Sequence, residues 1–197
     1  MLVDIDDSFR HHLALQNPPR QGKETEMTYV ALLYSIVLGE GRRLVMSDLK
    51  AVAAGLGVQN PRTLLATGNL IFEYEEQLVP ELESQLEKAF AKALGKHIDI
   101  IIRTAPDWQK MAANPFPHKS GDQVCLRIMR DPLTDVGWNL VQEKAIDDEV
   151  RRINGDLWIA FAGQPSASRL PSHLTTKKLG IGTIRNWNTV RRISEAL

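Results

Sequence analysis

The sequence predicts an α+β fold of two ferredoxin-like β-α-β-β-α-β units packed as one body, and three features predict it. From Met27 onward, apolar spacing alternates between strand and helix periods in that order. The same order recurs in the second half. Gly68-Asn69 and Asn154-Gly155 occupy equivalent hairpin positions, 86 residues apart. Each half has about 75 residues, a size that buries too little surface to be robust alone, so a shared interface is expected.

The first unit is expected over residues 27–104. Tyr29 to Val37 is a strand, and Gly39-Glu40-Gly41-Arg42-Arg43 is a surface loop whose spacing matches neither a P-loop nor a dinucleotide fingerprint. Ser47 caps a helix with Leu49, Val52, Ala53 and Leu56 on one face, ended by Gly57. Arg62 to Ala66 and Leu70 to Tyr74 pair as a hairpin. Pro80 opens a second helix with Leu82, Leu86, Phe90 and Leu94 inward, Gly95 closes it, and Ile98 to Arg103 is the fourth strand.

A linking helix and turn fill residues 105–122, the helix near Pro106 to Ala113 and the turn at Asn114-Pro115-Phe116-Pro117. The second unit covers residues 123–197. Val124 to Arg130 is a strand, Leu133 to Val141 a helix, Ala145 to Ile153 and Leu157 to Phe161 a hairpin, Pro171 to Leu179 a helix and Gly182 to Arg185 a strand. A C-terminal helix carries Val190, Ile193 and Leu197 at helical spacing, with Asn188 as its cap. Residues 1–26 differ in composition and read as a tail, disordered or the product of a start assigned too early.

With 197 residues, 43% hydrophobic and 24% charged, the chain falls in the ordinary soluble range. It has no apolar run of membrane-spanning length and no secretory leader, so a cytoplasmic location without membrane partners is expected. The lone Cys125 fits a reducing compartment and, in a strand's apolar alternation, reads as an inert thiol. Net charge is zero, yet residues 163–197 hold six cations against Glu195 alone. A locally positive face on a neutral chain suits a bound phosphate or carboxylate better than a general grip on duplex nucleic acid.

Within that basic tract, Arg185-Asn186-Trp187-Asn188-Thr189 concentrates a cation, two amides and an indole before a helix start. A guanidinium can pair with phosphate, the first-turn N–H groups can bind an anion, and the indole can stack on a base. Arg169 and Lys177 would widen the positive rim. The blander alternative has equal weight: Asn188 merely caps, Trp187 fills core and Arg185 pairs with a carboxylate. Asp147-Asp148-Glu149 cannot converge on one ion from a strand, His118 lies seven residues from Cys125 across a turn and is not expected to pair with it, and His11, His12, His97 and His173 lack metal-ligand spacing apart from the tail pair. Neither metal nor cofactor is expected.

Several fragments together resemble the bacterial family catalogued as domain of unknown function 1697. They are Tyr29-Val30-Ala31-Leu32-Leu33, Thr63 to Phe72, Asn114-Pro115-Phe116, Leu179-Gly180 and Arg185 to Thr189, in order over roughly residues 27–197. The resemblance implies an α+β bacterial cytosolic protein and assigns no activity. Ser168-Arg169-Leu170 resembles the family's Ser-Lys-Leu. One departure stands out: where the family reads Arg-Gly-Ile-Asn-Val-Gly-Gly, this chain has Tyr34-Ser35-Ile36-Val37-Leu38-Gly39-Glu40, lacking the arginine, the first glycine and the asparagine.

The expected function is binding of an anionic ligand near the C-terminal helix: a nucleotide, a phosphorylated metabolite or a nucleic-acid segment. The alternatives are an enzyme acting on a phosphorylated or carboxylated small molecule, with a carboxylate or His173 as base, and a protein-interaction module built on a flat apolar sheet face.

Overall fold

The computed structural model describes residues 25–34, 37–39, 42–43, 46–65 and 68–197. The expected tail lies outside the described residues as far as 24, as do Ser35, Ile36, Glu40, Gly41 and Thr67. Two four-stranded antiparallel sheets and their helices give the α+β fold. The chain divides at Asp107/Trp108, inside the stretch read as a linker.

In the first unit the order is β1 (Glu26–Leu33), a short hairpin of β2 (Val37–Gly39) and β3 (Arg42–Arg43), α1 (Met46–Gly55), β4 (Gln59–Thr63), β5 (Asn69–Glu75), α2 (Val79–Leu94) and β6 (Ile100–Thr104). The main sheet is ordered β4-β5-β1-β6. Its register sets Tyr29 opposite Phe72 and Ala31 opposite both Leu70 and Ile102. Period-two alternation therefore places Tyr29, Ala31, Leu33, Leu70, Phe72, Ile100 and Ile102 on one face. Against them pack Leu49, Val52 and Ala53 of α1 and Leu82, Leu86 and Phe90 of α2.

Local signals explain most boundaries. Pro80 sits in the first turn of α2, and Gly95 ends it in the left-handed region at φ 67°, its N–H donating to Ala91 O. Three expectations shift. β1 stops at Leu33 rather than Val37, the described residues of the segment read as a loop (Gly39, Arg42 and Arg43) belong to the paired strands β2 and β3, and Ser47 lies inside α1, which already starts at Met46.

The outer edge of β6 is closed by α2. Glu87 Oε1 accepts the Ile100 N–H and Glu83 Oε1 accepts the Ile102 N–H, each at 2.9 Å. One helical turn is close to the length of two strand residues, so carboxylates at i and i+4 match alternate N–H groups. An edge that would otherwise offer unpaired donors is thereby blunted.

The division falls within α3 (Ala105–Met111), and the second unit continues with β7 (Val124–Met129), α4 (Asp135–Lys144), β8 (Glu149–Ile153), β9 (Asp156–Ala160), α5 (Thr176–Leu179), β10 (Gly182–Asn186) and α6 (Trp187–Glu195). Its sheet is ordered β10-β7-β9-β8. Numbered within each unit, both sheets have the order two-three-one-four. The β8–β9 turn has Asn154 at φ 52° and Gly155 at φ 87°, as an Asn-Gly hairpin demands. Thr134 Oγ1 caps α4 by accepting the Gly137 N–H.

The expected helix from Pro171 to Leu179 is not continuous. Two 3-10 turns, Pro165–Ala167 and Leu170–His173, precede the four-residue α5. Thr175 is extended at ψ 153°, which takes the chain out of helical geometry between them. Leu170, Leu174 and Leu179 nevertheless reach one buried cluster with Cys125, Met129, Val141, Leu157 and Ile159.

Candidate functional site

The polar groups of the C-terminal motif meet partners within the protein. Arg185 lies on β10 and is only 8% exposed. Its Nη1 donates to Thr183 Oγ1 at 2.7 Å and to Ile184 O at 2.9 Å. Burial pushes its guanidinium down to about 10. The expectation that this cation opens to solvent therefore fails, because the strand that carries it is packed on that face.

The capping assignment also moves by two residues. Asn186 is the cap of α6, its Oδ1 accepting the Thr189 N–H at 2.9 Å. β10 runs directly into α6, so the last strand residue takes the cap position. Asn188 instead donates from Nδ2 to Asp122 Oδ1 at 2.7 Å. Gly121 makes that approach feasible, since a Cβ there would stand 2.5 Å from Asn188 Oδ1. Trp187 is half-buried, with its ring centroid 5.9 Å from that of the buried Trp158. Thr189 is buried beside Val190 and Ile193.

A concave site does exist in the second unit. It has a volume of about 340 Å³, and its lining includes Lys144, Asp147, Asp148, Gly163, Ser168 and Arg169. None of Arg185 to Thr189 lines it, nor does Lys177, which is exposed on α5. Of the residues expected to bind a ligand, Arg169 alone sits in this pocket.

Hydrogen bonds fix the pocket's wall. Asp148 Oδ1 accepts the Ala162 N–H at 2.9 Å and its Oδ2 accepts the Ser168 hydroxyl at 2.5 Å. Ser168 Oγ in turn accepts the Leu170 N–H at 3.0 Å. That hydroxyl is committed in both directions, so it tethers the 3-10 segment to the start of β8. Lys144 Nζ pairs with Glu143 at 2.6 Å. The Arg169 guanidinium is exposed and has no hydrogen bond or ion pair among the described residues.

The remaining candidates divide. Glu149 turns to His118 at 3.2 Å and Lys119 at 3.5 Å, and the hydrogen bond from His118 is the main cause holding its carboxyl below the usual range. Glu149 and Asp148 thus face different partners, in keeping with the expectation that the acidic run does not converge. His173 Nδ1 lies 3.0 Å from Lys178 Nζ and does not line the pocket. Burial raises the Cys125 thiol to about 11, which suppresses its thiolate. Sequence reasoning missed Lys144 and the Asp148–Ser168 tether, the latter because it joins residues 20 apart that the β8–β9 hairpin brings together.

The comparisons with known proteins agree with this architecture. A family model described as "Protein of unknown function (DUF1697)" matches residues 27–158. The conserved bacterial protein SP0830 from Streptococcus pneumoniae is similar in structure, with a TM-score of 0.69 and 17% identity over 87% of this chain and 98% of its own. At that identity the likeness shows the fold. No curated protein matches.

Proposed function

Since this chain belongs to the DUF1697 family of proteins of unknown function, we propose a function from its geometry: it binds a small anionic molecule in the pocket around Arg169. A mononucleotide or phosphorylated metabolite is the class that fits. The carrying observation is a guanidinium that has no partner among the described residues, on the wall of a cavity of about 340 Å³, near the lower end of small-molecule sites. Lys144 adds a second cation to the lining, although it also pairs with Glu143, and one site on each Asp148 oxygen is already taken by a hydrogen bond.

This reading moves recognition from the C-terminal helix to the 3-10 segment, where Ser168-Arg169-Leu170 resembles the family's Ser-Lys-Leu. It favours binding over catalysis, because the Ser168 hydroxyl is engaged on both sides and the Asp148 carboxylate already accepts two hydrogen bonds. A nucleic-acid segment fits less well, since the chain is neutral overall and a single cavity recognises one group. Among the described residues no helix is long and apolar enough to cross a membrane. Bacterial cytoplasm is the proposed setting, supported by the lone Cys125.

The test is calorimetric titration with inorganic phosphate, mononucleotides and sugar phosphates. Arg169→Ala is expected to weaken the best ligand roughly 10- to 100-fold, the worth of a charge-assisted hydrogen bond. Lys177→Ala leaves affinity unchanged. Equal affinity in wild type and Arg169→Ala, or no binding by any anion, overturns the proposal.

A further inference from the structure

We propose that Glu87, His97 and Asp99 form a binding site for a first-row divalent metal ion of the Zn²⁺ class, in the first unit and independent of the anion pocket. One ligand atom from each lies within 4.8 Å of the others. Zn²⁺ bonds to nitrogen and oxygen ligands of about 2.0–2.2 Å place such atoms roughly 3–4 Å apart, within reach of small side-chain rotations. His97 Nε2 is already 3.1 Å from Asp99 Oδ1.

The backbone explains the convergence. Gly95 ends α2 in the left-handed region and turns the chain back along the helix. In the connection before β6, Ile98 is buried at 2% exposure, whereas the side chains of His97 and Asp99 are more accessible. Glu87 lies two helical turns before Gly95. Its carboxylate is oriented by the Ile100 N–H at 2.9 Å, the kind of outer hydrogen bond that positions metal ligands. The Asp99 backbone is anchored in turn by the Tyr34 N–H, which donates to Asp99 O at 2.9 Å.

Donor chemistry selects the ion. An imidazole disfavours Mg²⁺ and Ca²⁺, and the absence of a thiolate from the set disfavours Cu⁺. Two carboxylates and a neutral imidazole carry a charge that a divalent cation cancels. Three protein ligands leave further positions for water or another ligand, so the site is an open one. Spacing rules applied to histidines alone miss it, because Glu87 comes from a different element.

Calorimetric titration of the full chain with Zn²⁺ tests the proposal, using wild type, His97→Ala, Glu87→Gln and His11→Ala/His12→Ala. His97 is largely exposed, so its replacement leaves folding intact. Glu87→Gln retains an oxygen to accept the Ile100 N–H. The expected result is one Zn²⁺ retained in the His11→Ala/His12→Ala protein and weakened about 10-fold or more by His97→Ala and by Glu87→Gln. Zn²⁺ affinity unchanged by His97→Ala, or lost with the two N-terminal histidines, overturns it.

Discussion

Replacing an asparagine by aspartate at positions 186 and 188 should have opposite effects on stability, and the contrast decides what the C-terminal motif does. At position 186 the side-chain oxygen accepts the Thr189 N–H, and aspartate caps as well as asparagine while adding favourable charge at a helix start. Asn186→Asp is therefore expected to be neutral or slightly stabilising, and Asn186→Ala to cost about 1 kcal/mol. At position 188 the amide donates to the Asp122 carboxylate at 2.7 Å. Asn188→Asp removes the donor and sets two like charges together, worth about 1 kcal/mol at 4 Å in water. Each kcal/mol moves the melting midpoint of a chain this size by roughly 2–4 °C, readily resolved by calorimetry or circular dichroism. The penalty at 188 should shrink in high salt, which screens exposed charges. If Asn188→Asp matches wild type while Asn186→Asp melts lower, the cap assignment is wrong.

Two other perturbations probe the rest of the fold. Glu83→Ala leaves the buried Ile102 N–H without this acceptor and is expected to cost about 1–3 kcal/mol, whereas Glu83→Gln retains an oxygen there and should cost less; equal losses in urea unfolding would count against the carboxylates as edge caps. The Cys125 thiol is raised from 9.0 to about 11 in the folded protein, so its contribution is fully present below pH 9 and is lost as pH rises toward 11. Cys125→Ala should flatten that alkaline decline, and parallel stability curves for the two proteins would refute the burial argument.

Much of the fold was legible because its cues are local. Pro80 and Gly95 bracket α2, and Asn154-Gly155 makes the β8–β9 turn with both residues at positive φ. The site was less legible. Asn186 and Asn188 both offer a capping amide, and only the run of β10 to its final residue reveals which one is used. Arg185 looks like a recognition cation in sequence, yet strand pairing opposite Leu126 turns it into a buried group. Pairings across elements, such as Asp148 with Ser168 or Glu87 with the Ile100 N–H, leave no short-range pattern to read.

The shared strand order makes the two units a controlled comparison of what the second helix does. In the first unit that position is a continuous 16-residue helix, whose Glu83 and Glu87 close the β6 edge. In the second unit the corresponding stretch is two 3-10 turns and the four-residue α5. A broken helix cannot lay a full apolar face along the sheet. It buries Leu170, Leu174 and Leu179 at irregular intervals and leaves a cavity beside Ala167, Ser168 and Arg169. The pocket around Arg169 therefore lies where one unit departs from the regular packing of the other, and the Asp148–Ser168 hydrogen bond ties that departing segment to the chain just before β8. The intact helix has the complementary property. Because it is regular, it can hold Glu87 at a fixed height against the chain returning through His97 and Asp99, which a segmented stretch could not do.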